Sequence, residues 1–175
     1  MKKLIVPIVC LAAALPSLAA DAKMGSENSK FLQEYIKHWK TAKDFTVAVA
    51  EKMPADSFDF KPNPEEMGFG QLMAHIADAH GYFYSNITGN KVAIGKPANM
   101  EKTTVVKFLA DSFDTITRLL EQMTDAQLNR TSEIEDQQMS GREGMVAALG
   151  HVIHHRGQAE VYLRVKNIKP PDYRF

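Results

Sequence analysis

An all-α four-helix bundle is the fold class this sequence predicts, and three observations carry the prediction. Four long segments repeat apolar residues at helical spacing, no stretch alternates well enough to read as a strand, and Pro, Gly and Asn gather between the segments. Each segment has one face to bury, and packing four of them together covers those faces most economically.

The first helix is expected over residues 26–53. Phe31, Leu32, Tyr35, Ile36, Trp39, Phe45, Val47 and Val49 share one broad face, and Pro54 ends it. The stretch from Ala55 to Pro64 contains two prolines among Asp, Ser and Asn residues and reads as a connector. The second helix covers residues 68–87 and stops near Gly89-Asn90, after which residues 90–101 form a Gly-, Pro- and Asn-rich connector. Thr103 or Thr104 is the expected cap of the third helix, which carries Val105, Phe108, Leu109, Phe113, Ile116, Leu119 and Leu120. Polar residues 124–139 make an ordered crossing with some local turn. Ser140-Gly141-Arg142-Glu143 then forms a capping box, serine at the cap and glutamate three residues on. The fourth helix runs from there to about residue 167, since Pro170-Pro171 forbid its continuation.

The 175 residues suit one domain, and their 45% hydrophobic and 24% charged content is ordinary globular usage. Lys plus Arg equals Asp plus Glu at 21 each, so no basic excess points to nucleic acid or an anionic membrane. The first 20 residues stand apart: two lysines, a short apolar run interrupted by Pro16, then small residues. That is a secretory signal peptide, with cleavage expected after Ala19 or Ala20, and it predicts a secreted or periplasmic protein with no membrane segment after cleavage. The mature domain is residues 21–175. Loss of Lys2 and Lys3 leaves 19 basic against 21 acidic residues. Cys10 is the one cysteine and lies in the leader; Val9 and Pro7 before it do not make a lipidation site. The mature chain therefore has no disulfide, thiol nucleophile or thiolate ligand, and any metal must be held by His and carboxylates.

Three of the six histidines fall in Gly150-His151-Val152-Ile153-His154-His155-Arg156-Gly157-Gln158. His151 and His155, four residues apart on a helix, share a face with Cβ atoms about 5–6 Å apart and can share one metal ion. His154 lies on the flank. A third ligand must come from another helix, and the second helix offers His75, among small apolar residues, and His80, at a more polar edge. Opposite a histidine pair in a bundle, His75 is the favoured ligand.

Other residues have positions relative to that site. Gly144, Ala147 and Ala148 precede the pair with small side chains, which leaves either space beside the site or close approach of a neighbouring helix. Asp78, Tyr82 and Gln158 are spaced to point at the metal or its ligands, while core packing for Tyr82 and the edge of the face for the other two explain them as well. Gly157 suggests close approach of a neighbouring helix, and Arg156 is expected to pair with a carboxylate across the bundle. Glu143 is a cap. Asn86-Ile87-Thr88 and Asn129-Arg130-Thr131 match the glycosylation sequon, a permissive pattern. No Ser-His-Asp order and no phosphate-cradling loop is present.

The runs MAHIADAHGYFYSNITG and GHVIHHRGQAEVYLRVKNIKPP, with Phe58-Asp59-Phe60-Lys61-Pro62 before the second helix, resemble the DinB-like (YfiT-like) metalloenzyme superfamily over nearly the whole mature chain. The most specific element is HxxxHRGQ joined to an upstream histidine. The resemblance implies a four-helix bundle with a divalent metal, zinc or nickel most often, on three histidines that fall at His75, His151 and His155 in this sequence. Superfamily members are often dimers, so it also allows a homodimer. Assigned activities there include thiol-dependent S-transferases and isomerases. The expectation is an exported metal-dependent hydrolase or transferase acting on a small molecule, with Asp78 the nearest guess at a general base. The alternative is a bundle that binds a metal or small ligand without turnover.

Overall fold

The computed structural model describes the backbone of residues 18–174 and, apart from Ser26, the side chains from residue 25 onward. The leader expected over residues 1–20 lies, but for its last three residues, outside that range. Helix α1 (Leu18–Lys52) starts earlier than the sequence suggests and ends before Met53-Pro54. Along it Tyr35, Trp39, Ala42, Thr46 and Val49 are buried, a rise of three or four residues each time that keeps one stripe on the core. A single 3₁₀ turn, Ala55–Ser57, follows.

Helix α2 (Phe69–Thr88) opens on Gly68, whose N–H donates to Gln71 Oε1 at 3.0 Å. It closes on Gly89 at φ 73°, a left-handed cap whose N–H reaches Ser85 O at 2.9 Å. Helix α3 (Lys102–Leu120) is preceded by Glu101, so neither Thr103 nor Thr104 is its cap. The reason lies in the connector: Asn99 Oδ1 accepts the Glu101 N–H at 3.1 Å, and Lys102 Nζ donates to Glu51 O at 2.7 Å. Together these contacts turn the chain and pin the start of α3 to the end of α1 before either threonine is reached.

Residues 124–140 hold more regular structure than their sequence suggests. A short helix α4 (Asp125–Asn129) is capped by Thr124, with Gln127 Oε1 accepting the Thr124 N–H at 3.0 Å. Strands β1 (Thr131–Ile134) and β2 (Gln137–Ser140) pair antiparallel with Ile134 opposite Gln137. The expectation of no strand is corrected here. Glu135 and Asp136 take φ of 50° and 60°, the pair of positive values a tight hairpin turn requires. Ile134 is the hairpin's one fully buried side chain, so no apolar alternation exists to announce it.

Helix α5 (Gly141–Val165) starts on the expected capping box, with Ser140 N–H donating to Glu143 Oε2 at 2.8 Å. Pro170-Pro171 follow its end. In the bundle α1 packs beside α3 and α5, and α2 beside α3 and α5. Consecutive helices α1 and α2 therefore sit across the diagonal, joined by a crossover rather than a tight turn. Their side chains meet in the middle: the Trp39 ring lies 4.9 Å from both His80 and Phe113 and 5.6 Å from Tyr84. Trp39 Nε1 donates to Phe113 O at 3.2 Å, and Tyr35 Oη donates to Met145 O at 2.6 Å while receiving Tyr84 Oη at 2.9 Å. These bonds tie α1 to α3, α2 and α5 and pair the buried hydroxyls of Tyr35 and Tyr84. Among the described residues no helix is long and apolar enough to cross a membrane.

Candidate metal centre

The α2–α5 contact brings His75 against His151 and His155. His75 Nε2 lies 3.2 Å from His151 Nε2 and 3.2 Å from His155 Nε2, and one donor atom from each of the three fits within 4.8 Å of the others. Two nitrogens at about 2.0–2.1 Å from one tetrahedral ion are about 3.3–3.4 Å apart, within about 0.2 Å of the spacing here, so a small adjustment fits a shared ion. Among the described residues this is the one such group of His, Cys and carboxylate side chains.

The protonation chemistry also fits. His155 Nδ1 lies 2.7 Å from Gln158 Oε1, which can only accept, so the ring proton sits on Nδ1 and the Nε2 lone pair faces the cluster. His151 Nδ1 is buried with no partner among the described residues, while its Nε2 meets His75. Burial, helped by the neighbouring His155, His75 and His154, lowers the His151 pKa to about 4. Burial likewise lowers that of His155, against a raising contribution from Gln158. Both rings are thus neutral at pH 7, the form that ligates. The Phe83 ring stands 5.5 Å from His151 and walls that side with apolar surface.

Several expected neighbours are elsewhere. Tyr82 is 44% exposed, and its hydroxyl accepts the Glu135 N–H at 3.1 Å, so the hairpin takes it away from the histidines. Asp78 is exposed but lines a cavity of about 220 Å³ with His75, Gln71, Lys96, Met100 and Phe108. The connector's part in that cavity, and Phe83, were missed, because both depend on tertiary placement and leave no periodic signal. The surroundings expected of the two α2 histidines are exchanged: His75 is half-buried, and His80 is the core histidine, 1% exposed. Ser112 Oγ donates to Leu109 O, so His80 Nδ1–H donates to Ser112 Oγ at 3.0 Å.

Two expectations for α5 are corrected. Arg156 is buried, but its carboxylate is Glu160 at 3.9 Å on its own helix, and its guanidinium lies 4.2 Å from the centre of the Phe45 ring across the bundle. A Cβ on Gly157 would meet nothing within 4 Å, so no helix among the described residues approaches it. At Gly144 close approach is the answer: a Cβ there would lie 2.8 Å from Ile134 Cδ1 and from Ile87 Cγ1.

A diagonal four-helix bundle with three imidazoles converging from two of its helices defines a class of small helical proteins with a ready-made nitrogen donor set. The chain belongs to the DinB family, whose model matches residues 24–172. Two Bacillus subtilis relatives, the uncharacterized proteins YjoA and YrdA, are 27% identical over 135 residues (75% of this chain, 88% of YjoA) and 25% identical over 146 residues (80% and 86%). The crystal structure of YjoA, a DinB-like protein, superposes with a TM-score of 0.68 at 25% identity, covering 81% of this chain and 98% of YjoA. A DinB-like protein from Bacillus cereus gives a TM-score of 0.71 at 20% identity, covering 81% and 97%. YfiT from Bacillus subtilis, described as a probable metal-dependent hydrolase with an unusual four-helix bundle topology, gives 0.61 at 16% identity, covering 79% and 89%.

Proposed function

We propose that this protein is an exported, metal-dependent enzyme acting on a small molecule, a hydrolase in preference to a transferase. His75, His151 and His155 would hold a divalent ion, zinc or nickel. The observation that carries this reading is the 3.2 Å convergence of three Nε2 atoms, with Gln158 fixing the tautomer of one. The description of YfiT, whose fold this chain shares, supports hydrolysis. Bound there, a divalent ion supplies Lewis acidity through a coordination position that three histidines leave free.

The chain's own residues supply the rest. Gln158 holds the His155 ring in its ligating orientation. Pro97, Met100 and Phe108 give the cavity beside His75 an apolar wall for the body of a substrate, and Gln71 and Lys96 give it polar groups to orient one. Asp78, on the same cavity, is the carboxylate we assign to accept a proton.

Elemental mass spectrometry of the purified protein, beside a His75→Ala/His151→Ala variant, tests the site. About one zinc or nickel per chain, lost in the variant with helicity retained, is the expected result. A protein that neither carries a metal nor takes one up sinks the reading. Turnover of a panel of ester, amide and thiol substrates by the loaded protein decides the rest, since stoichiometric metal without any turnover would make the bundle a binding protein.

A further inference from the structure

Where α5 faces α1, Arg156 lines a cavity of about 180 Å³. Its side chain is 8% exposed, and its Nε is buried with no hydrogen-bond partner. The ion pair with Glu160 Oε1, on the same helix, spans 3.9 Å, too long for a hydrogen bond. Phe45 covers one face of the guanidinium, but the N–H donors lie in the guanidinium plane and a stacked ring does not use them. A buried cation paired this loosely is costly, and an anion beside it would offset that cost.

The rest of the cavity suits such an anion. Arg174 and His38 line it with further nitrogen groups, and no acidic side chain does; Glu160 opens instead on the neighbouring cavity, beside Arg164 and Lys169. Ala42, Leu149 and Ile153 give apolar walls. Inorganic phosphate would fit the arginine fork and leave those walls unused, whereas an organic carboxylate uses both. On a 3.6-residue helix, Leu149, Ile153 and Arg156 centre about 150° around α5 from His151 and His155, so this cavity lies on the other side of the helix from the histidine cluster. We propose that it binds a small organic carboxylate, with the carboxylate on Arg156 and Arg174 and the apolar body against Leu149 and Ile153. It is a second ligand site, and it does not depend on the metal.

Benzoate is the probe, with benzyl alcohol as its uncharged counterpart and inorganic phosphate as an anion without an apolar body. Calorimetric titration of the purified protein is expected to show one saturable benzoate site, with both controls weaker by about tenfold or more. The same titration on His75→Ala/His151→Ala is expected to be unchanged, which separates this site from a carboxylate held by a metal ion. Arg174→Ala removes an exposed charge and is expected to weaken benzoate about fivefold. Arg156→Lys keeps the charge without the fork and is expected to weaken it by more than about tenfold. Ile153→Trp fills the cavity from an exposed position and is expected to abolish binding while keeping the melting temperature. Should Arg156→Lys fail to fold, the two exposed positions decide the matter. Absence of a saturable benzoate site overturns the proposal, as does phosphate binding as tightly as benzoate. So does binding lost with the histidines, or binding that Arg174→Ala and Ile153→Trp both leave intact.

Discussion

His80 sits against Trp39 and Phe113 with its Nδ1–H on Ser112 and its Nε2 buried without a partner among the described residues. Burial lowers its pKa to about 3, with a smaller contribution from His151. The unfolded chain carries the same histidine at about 6.5. Between those values the unfolded state binds a proton that the native state refuses, so stability is full above about pH 6.5 and falls as pH drops toward 3. The loss is on the order of a few kcal/mol. Denaturant titrations of metal-free protein across this window are expected to show it, with a shallower pH slope in His80→Gln; an unchanged slope would refute the assignment. Five residues apart on one helix, His75 and His80 point about 140° apart, and their immediate neighbours did not reveal which faced the core. The His151–His155 pair was legible from spacing alone, as was Gln158 near it. Tyr82 was not, because its hydroxyl is captured by a hairpin that no periodicity announces.

At the scale of the element, α5 was the most legible part of the chain. Its capping box and trailing prolines are local signals, and the helix keeps both ends. The β1–β2 hairpin was the least legible, since four-residue strands with one deeply buried side chain give no alternation, and Glu135-Asp136 lacks the glycine that commonly marks such turns. What holds the hairpin is Ile134 seated over Gly144, beside Ile87 of α2. Gly144→Val is therefore expected to overfill that seat and to cost about 1–3 kcal/mol. Calorimetry reads this as a melting temperature lower by several degrees, and a variant as stable as wild type would show that the seat is not tight. The third helix shows the other limit of local reading. Two threonines offered themselves as caps, yet an Asn99 turn and a lysine bound to α1 fixed the start elsewhere.

For the whole molecule, the period of each helix told which side was buried but not against which neighbour. The diagonal placement of α1 and α2 is set by the crossover between them and by the Trp39 cluster, both invisible to a periodic pattern. The candidate site spans this architecture, with donors on α2 and α5, so an ion held there joins two of the four helices. Zinc at about a hundred times its dissociation constant is expected to add about 2.7 kcal/mol to folding stability. In a domain of this size that is a rise of roughly 5–10 °C in melting temperature. Scanning calorimetry with and without chelator measures it, and the same scan on His155→Ala should show no shift. An equal shift in that variant would place the ion elsewhere.

The donors are 76 and 80 residues apart in the chain, and two of them belong to α5, the last of the described helices. No fragment that ends before α5 can therefore assemble the set. If the chain is exported unfolded, as proposed above, it would choose its ion only where α5 finally docks on α2. An ion bound on that route would record the composition of the compartment in which folding finished, not of the one in which translation began.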